Sequence, residues 1–309
     1  MTDLAGDMRF LQAAALLPHR LRKPLERLGE EDQHRAEEIR LRCGRPASLV
    51  FPEGERPFPG GGDLVTAGDL SLVLEIATQA SAHTALSQVK NGFFTVRDGH
   101  RIGICGSAVV KNGGIYNLRQ ISSLAIRIAR EAIGAAAPVA DKLLEHGRLR
   151  STLILSPPGW GKTTLLRDLI RMISDGDGMS PMRVGVADER GELAAVWEGK
   201  PQLNVGALTD VMDGCPKAAG LLMLLRGMNP QVLCADEITA PEDAAALEMA
   251  ANCGVVLLAT AHAEGKEDLY SRPLYRRLLE GNTFQRLVSI ERTPTGRAFR
   301  VEKLGEKAC

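Results

Sequence analysis

Aromatic residues are scarce in this chain, at 4% of its 309 residues. The hydrophobic cores must therefore be built mainly from Leu, Ile, Val and Ala. The formal net charge is zero, with 38 basic and 38 acidic residues. Proteins that bind single-stranded nucleic acid combine a basic groove with aromatic side chains on which bases stack. The composition supplies neither, so we expect no nucleic-acid partner.

Paired cysteines are lacking as well. Six cysteines are spread singly along the chain, at Cys43, Cys105, Cys215, Cys234, Cys253 and Cys309. Without a CxxC pair or a His-x-x-x-His partner, the usual ligands of a zinc site are missing. Single cysteines are typical of a reducing compartment, where they act as small buried side chains.

Long apolar runs are the third absence. No window of about 18 apolar residues is present to span a bilayer. The N-terminus MTDLAGDMRF lacks the basic and then apolar layout of a signal peptide. We therefore expect a cytosolic protein that associates with a membrane only through a partner.

The length predicts two domains, because 309 residues exceed what one core usually holds. Residues 1–135 read as an α+β domain, with a capped helix from Thr66 through LSLVLEIATQAS and a hairpin around Asp98-Gly99 in GFFTVRDGHRIGICGSAVV. AIGAAAPVADKLLEHGRLR predicts a linker helix. In residues 136–309, strand, loop and helix repeat as in a parallel α/β sheet.

The most specific motif is SPPGWGKTT, which begins at Ser156, where the usual phosphate-loop pattern has glycine. Gly159 and Gly161 allow backbone N–H groups to curl around an anion at a helix start. Lys162 can reach the β- and γ-phosphates of ATP, and the Thr163 hydroxyl can ligate Mg²⁺. The other loop residues expected to bind the nucleotide are Pro158, Trp160 and Thr164.

A second motif, QVLCADEI, is an apolar strand that ends in two acids. Asp236 would bind Mg²⁺ through water, completing the shell begun by Thr163. Glu237 would polarise the attacking water as general base. The alternative is an acidic turn after a core strand.

Two further strands end in polar residues. GVVLLAT leads to His262, and an inserted strand would bring Thr260 and His262 to the γ-phosphate. VGVADERGEL ends in Asp188, Glu189 and Arg190, which would emerge on the same face because ligands bind at the carboxyl ends of parallel strands. A solvated loop explains these three residues equally well.

In this order, the motifs resemble the stage III sporulation protein AA family of the secretion-superfamily ATPases, whose relatives power type II secretion and type IV pili. The resemblance rests on SPPGWGKTTLLRD, DERGE, DVMDGCPKAAGLLMLLRGMNP, ADEI, ATAH, NGFFTVRDGHRIGICGSAVV and SSLAIRIARE. It implies an α/β, RecA-like P-loop NTPase domain after a smaller N-terminal α+β domain. Asp236-Glu237 instead of Gly-Glu, and the missing tetracysteine motif, fit the sporulation branch.

The resemblance further implies ATP and Mg²⁺ as ligands and a homo-hexameric ring. It places that ring on the mother-cell cytoplasmic face of the outer forespore membrane, beside a polytopic membrane partner. In such rings, arginines from a neighbouring subunit or from the first domain reach the γ-phosphate. The candidate arginine fingers are Arg101, Arg119, Arg127 and Arg130, although Arg127 is equally explained as an exposed edge-strand residue.

Three functions are consistent with these motifs. The first is an ATP-hydrolysing motor of a secretion-like complex. The second is a nucleotide-dependent assembly scaffold with little turnover, against which the general-base candidate Glu237 argues. The third is a RecA-like ATPase stimulated by nucleic acid, against which the composition argues.

Overall fold

The computed structural model describes residues 4–60, 63–79, 92–111, 113–293 and 296–305. The chain divides into two compact units, of which the first extends to Arg130 and also includes residues 197–202. The domain boundary predicted from the sequence, at residue 135, lies a few residues later in the chain. It also does not include residues 197–202, where the chain returns to the first unit. Gln202 explains the return, because its carbonyl accepts from Arg9 at 3.3 Å and its amide oxygen accepts from the Asp98 N–H at 3.0 Å.

The first unit combines short helices with an antiparallel sheet. Its α-helices are α1 (Leu4–Ala15), α2 (His19–Arg22), α3 (Glu30–Arg35) and α4 (Ala67–Ala77), with 3-10 turns at Lys23–Arg27 and Arg97–Gly99. Its strands are β1 (Glu38–Arg42), β2 (Ser48–Phe51), β3 (Gly54–Pro57), β4 (Phe93–Thr95), β5 (Arg101–Lys111) and β6 (Gly114–Arg127). The sheet order is β3-β2-β1-β6-β5-β4. Phe10 of α1 and Leu70 of α4 are buried in one core with Ile39 and Ile126 of the sheet.

Two local predictions in this unit are confirmed. Thr66 caps α4, since its hydroxyl accepts from the Asp69 N–H while the Asp69 carboxylate accepts from the Thr66 N–H. The predicted end of this helix, at residues 80–81, lies outside the described residues. The strands β4 and β5 pair antiparallel around Asp98-Gly99, where Asp98 has a φ of 64°.

The second unit is built around a mostly parallel sheet. Its strands are β7 (Leu144–Glu145), β8 (Arg148–Leu149), β9 (Thr152–Ser156), β10 (Val184–Asp188), β11 (Thr209–Asp213), β12 (Val232–Ala235), β13 (Val256–His262), β14 (Arg286–Thr293) and β15 (Gly296–Lys303). Its α-helices are α5 (Ala137–Ala140), α6 (Lys162–Asp175), α7 (Lys217–Gly227), α8 (Pro241–Asn252), α9 (Lys266–Ser271) and α10 (Pro273–Glu280), with a 3-10 turn at Asp141–Leu143. The main sheet has the order β11-β10-β12-β13-β9-β14-β15. Only β15 runs antiparallel to its neighbour.

The central strands β9, β10, β12 and β13 are buried on both faces, which explains why they are apolar throughout rather than alternating. Leu153 and Leu155 of β9 lie in a core with α7 and α8, whereas Ile154 lies in a second core with α6. Loops at the strand ends are therefore the places left for polar chemistry. Within the described part of the chain, no helix has the length and apolar character needed to cross a membrane.

The predicted linker helix is wrong. Only Ala137–Ala140 of that stretch is α-helical, and β7 and β8 follow as a short antiparallel pair. Gly134, with a φ of 86°, lies in the turn before this helix, and Gly147, with a φ of 73°, lies in the turn between β7 and β8. The prediction of a linker helix failed because helix propensity is a weak signal beside turns of this kind.

His100 is an unusual buried group of the first unit. Its Nδ1 accepts the Ala129 N–H at 3.1 Å, and its Nε2 has no hydrogen-bond partner among the described residues. Burial, aided by the positive charges of Arg9 and Arg130, lowers the pKa of His100 to about 4. The folded unit therefore holds a neutral imidazole.

We predict that the first unit loses stability as the pH falls from 6.5 towards 4. The unfolded chain protonates His100 near its ordinary pKa, while the folded chain resists until about pH 4. The stabilisation is thus complete above pH 6.5 and declines below it, by up to about 3 kcal/mol. Urea unfolding read by Trp197 fluorescence in a Trp160→Phe background measures this slope.

The matched variant is His100→Gln, whose amide oxygen can still accept the Ala129 N–H but does not titrate. We expect this variant to have a lower stability at neutral pH and a flatter pH dependence between 6.5 and 4. An equally steep decline in the variant contradicts the prediction.

Candidate active site

The phosphate loop connects β9 to α6, as its sequence predicts. Gly159 and Gly161 adopt positive φ values of 75° and 97°, conformations that disfavour other residues. Ser156, at the position of the usual glycine, is fully buried, and its hydroxyl donates to the Pro157 carbonyl at 3.1 Å. The serine therefore fits because its polar group is satisfied within the loop. Pro158 is exposed, while Trp160 and Thr164 are half-buried.

The Lys162 side chain folds into the loop and is buried. Its ammonium donates to the carbonyls of Ser156 at 2.8 Å and Pro157 at 3.2 Å, and to Nδ1 of His262 at 2.8 Å. Burial lowers the pKa of Lys162, although the nearby Asp236 and Glu237 carboxylates raise it. The lysine thus lies between the loop and the acidic strand end.

Asp236 follows β12 and accepts hydrogen bonds from two threonines. The Thr163 hydroxyl donates to its Oδ2 at 2.6 Å, and the Thr260 hydroxyl donates to its Oδ1 at 2.5 Å. Burial raises the pKa of Asp236, while these two hydroxyls lower it. A carboxylate beside a threonine hydroxyl is the hard-oxygen donor set that Mg²⁺ prefers, so the predicted metal residues fit that ion.

Glu237 has a left-handed backbone, with a φ of 49°. The conformation is held from both sides, since its N–H donates to the Thr260 Oγ1 at 2.8 Å and its carbonyl accepts from Lys217 Nζ at 2.7 Å. Residues other than glycine adopt such a backbone only where surrounding contacts impose it, frequently at functional sites. The Thr260 hydroxyl donates to Asp236 at the acidic strand end, and its position facing the γ-phosphate stays a prediction.

His262, at the end of β13, contacts both the phosphate loop and the acidic end of β12. Its Nε2 lies 2.6 Å from Oε1 of Glu237, and Oε2 of Glu237 lies 3.1 Å from Arg190 Nη1. Because the Lys162 ammonium can only donate to Nδ1, the ring proton is on Nε2 and points to Glu237. The four side chains therefore form one hydrogen-bonded row, in the order Lys162, His262, Glu237 and Arg190.

The residues of the DER motif separate into different environments. The Asp188 carboxylate is buried and accepts the N–H groups of Glu192, Leu193 and Ala194, so it holds the following loop. Only Arg190 reaches the row described above. Glu189 instead lies 3.4 Å from Lys217.

Lys217 is the residue of this site that the sequence does not predict. Its side chain is 6% exposed, and its ammonium contacts the Glu237 carbonyl, Glu189 and Asp243. A weak signal exists, because Lys217 is a charge at the start of a helix that is otherwise apolar until Arg226 in its last turn. Nothing in that pattern indicates contact with a residue twenty positions later.

The candidate arginine fingers all lie in the first unit, on or just after its sheet. Arg101 stacks on the Phe93 ring at 3.3 Å, and Arg127 lies 3.3 Å from Glu38 with a side chain that is 64% exposed. Arg119 is exposed on β6. Arg130 donates to the carbonyls of Gln33 and Ala36. Their role as fingers stays a prediction.

We predict that Asp188→Ala destabilises the second unit by about 3 kcal/mol or more, because it leaves three N–H groups, two of them buried, without an acceptor. Urea unfolding read by Trp160 in a Trp197→Phe background measures the loss. Glu189→Ala is the control, and its half-exposed ion pair should be worth less than about 1 kcal/mol. Equal stabilities of the two variants contradict a structural role for Asp188.

Comparisons with known proteins agree with this geometry. A family model described as sporulation stage III, protein AA matches residues 8–302. The chain is 39% identical over 282 residues to the stage III sporulation protein AA of Bacillus subtilis (strain 168), covering 91% of each. Its fold resembles that of the Legionella pneumophila ATPase DotB (TM-score 0.57, 16% identity, 86% of this chain and 76% of that chain). It also resembles the pilus retraction motor PilT (TM-score 0.58, 16% identity, 88% and 80%). The predicted α/β fold with a P-loop domain is thereby confirmed, and the chain belongs to the sporulation stage III protein AA family.

Proposed function

We propose that this protein is a Mg²⁺-dependent ATPase and acts as the motor of a secretion-like complex during endospore formation. The observation that carries the proposal is the row from Lys162 through His262 to Glu237, beside the Thr163–Asp236 contact. These contacts bring the proposed phosphate-binding group, the proposed metal-binding pair and the proposed general base together at one edge of a sheet. A site that only bound nucleotide would not need the base.

Lys162 and Glu237 have different roles in the proposed reaction. Lys162 exchanges its hydrogen bonds to the Ser156 and Pro157 carbonyls for the β- and γ-phosphates of ATP, which offer a full negative charge. Glu237 orients a water molecule and takes its proton as the water attacks the γ-phosphorus. Water then forms the new P–O bond, and ADP leaves with the bonding electrons of the old one.

The supporting groups set the position of Glu237. His262 donates to one oxygen of its carboxylate and Arg190 to the other, while Lys217 holds its backbone. Thr163 and Asp236 would hold Mg²⁺, which neutralises charge on the phosphates when bound. Positioning and charge stabilisation are the main contributions that a phosphoryl-transfer site makes.

Assembly and location follow from the family resemblance and belong to the proposal. We propose a homo-hexameric ring at the mother-cell cytoplasmic face of the outer forespore membrane, in contact with a polytopic membrane protein. The relative PilT is a pilus retraction motor whose structure contains bound ADP. A shared fold with such a motor supports the motor reading over a static scaffold.

Steady-state ATP hydrolysis over a protein concentration series tests the proposal. We expect turnover per subunit to rise with concentration as rings assemble. Lys162→Ala should weaken ATP binding and abolish turnover, because the β- and γ-phosphates lose the lysine cation. Glu237→Gln should bind ATP normally but lower kcat by about 100-fold or more, since general-base contributions are of that size.

Glu242→Gln is the matched control, because this carboxylate is exposed and lies outside the row. It should keep wild-type turnover. If the wild type binds ATP yet turns over no faster than Glu237→Gln, the motor proposal fails for the isolated protein and a scaffold is favoured. Stimulation of turnover by single-stranded DNA would instead favour the RecA-like alternative.

A further inference from the structure

The β14–β15 hairpin carries two arginines to the phosphate loop. β14 pairs parallel with β9, on the side opposite β13, and antiparallel with β15. In the β14–β15 register, Arg292 lies directly opposite Arg297. Two cations thus occupy facing positions near the tip of the hairpin.

Both side chains reach the loop backbone. Arg292 Nη2 donates to the Gly159 carbonyl at 3.4 Å, and its guanidinium carbon lies 5.5 Å from the centre of the Trp160 ring. The Trp160 face therefore supports Arg292 through a cation–π contact. Arg297 Nη1 lies only 2.8 Å from the point that a Cβ at Gly161 would occupy.

The charge of this pair is not balanced by the protein. No carboxylate among the described residues lies within 4.0 Å of either guanidinium, whereas other exposed arginines, such as Arg272, Arg277 and Arg300, have acidic partners. Like charges directly opposite each other on a sheet destabilise it. An anion beside both removes that cost, and the planar guanidinium fork matches phosphate oxygens.

We propose that Arg292 and Arg297 bind the α- and β-phosphates of the nucleotide, the phosphates that are not transferred. The proposal rests on the proposed function, because it assumes that the loop binds a nucleotide. The hydrolysis residues approach the loop from the β13 side, and the arginine pair approaches from the β14 side. The pair therefore contributes to ADP and ATP binding alike and not to the chemical step.

Arg292→Gln and Arg297→Gln test this proposal by calorimetric titration with ADP and with a non-hydrolysable ATP analogue. Each variant should weaken both ligands by about tenfold or more, the value of a charge-assisted hydrogen bond. The kcat at saturating ATP should remain close to the wild-type value. Arg297→Lys should recover only part of the affinity, because it keeps the charge and loses the fork.

Arg300→Gln is the control, since Arg300 lies on the other face of β15 and pairs with Glu302. It should leave both affinities unchanged. The melting temperature without nucleotide gives a second readout, which should stay level or rise in the glutamine variants as the repulsion is removed.

Unchanged ADP affinity in both glutamine variants overturns the proposal, even if the wild type hydrolyses ATP as expected. A lower kcat with unchanged ADP affinity also overturns it, because the arginines would then act on the transferred phosphate. If the wild type neither binds nor hydrolyses nucleotide, the proposed function itself fails, and this result is distinct from the other two.

Discussion

The insertion of β13 between β9 and β12 is the constraint on which the whole site depends. Its register pairs His262 with Ser156 at the start of the phosphate loop, and Ala259 with Ala235 just before the acidic pair. Because side chains alternate along a strand, Thr260 and His262 share one face. A slip of one residue would turn both away, so one set of backbone hydrogen bonds aligns the phosphate loop, the acidic pair and the histidine.

That constraint also explains how much of the site could be predicted from the sequence. Motifs at the ends of parallel strands must meet at one edge of a sheet, so the phosphate loop, Asp236, Glu237 and His262 follow from strand order alone. Asp188 does not, because an acid after a strand looks the same whether its carboxylate faces solvent or the backbone of a returning loop. Only the fold of Glu192–Ala194 distinguishes the two cases.

Contacts between distant segments of the chain could not be predicted from the sequence for the same reason. Lys217 contacts the Glu237 carbonyl, and Arg292 contacts Gly159, although the residues of each pair are far apart in the chain. No local pattern specifies which lysine or arginine will be at such a place. The incorrect linker helix is the opposite error, since an alanine-rich stretch fits a helix although Gly134 and Gly147 lie in turns within it.

The electrostatics of the site are consistent with the proposed ligands of both charges. Burial moves the pKa of Lys162 down and the pKa of Asp236 up, each towards its neutral form. A neighbouring charge of opposite sign reverses such shifts. The proposed triphosphate beside the lysine and the proposed divalent cation beside the aspartate would supply those charges together.

The hairpin arginines and the candidate arginine fingers differ in which part of the chain holds them. Arg292 and Arg297 lie on a hairpin whose first strand pairs directly with β9, so backbone hydrogen bonds hold them at the phosphate loop of their own chain. The candidate fingers Arg101 and Arg127 lie in the first unit, and under the ring proposal their contact with a γ-phosphate depends on assembly. If both proposals hold, the hairpin pair binds nucleotide in every chain, and hydrolysis waits for the ring. Nucleotide affinity should then be a property of the single chain, and turnover a property of the assembly.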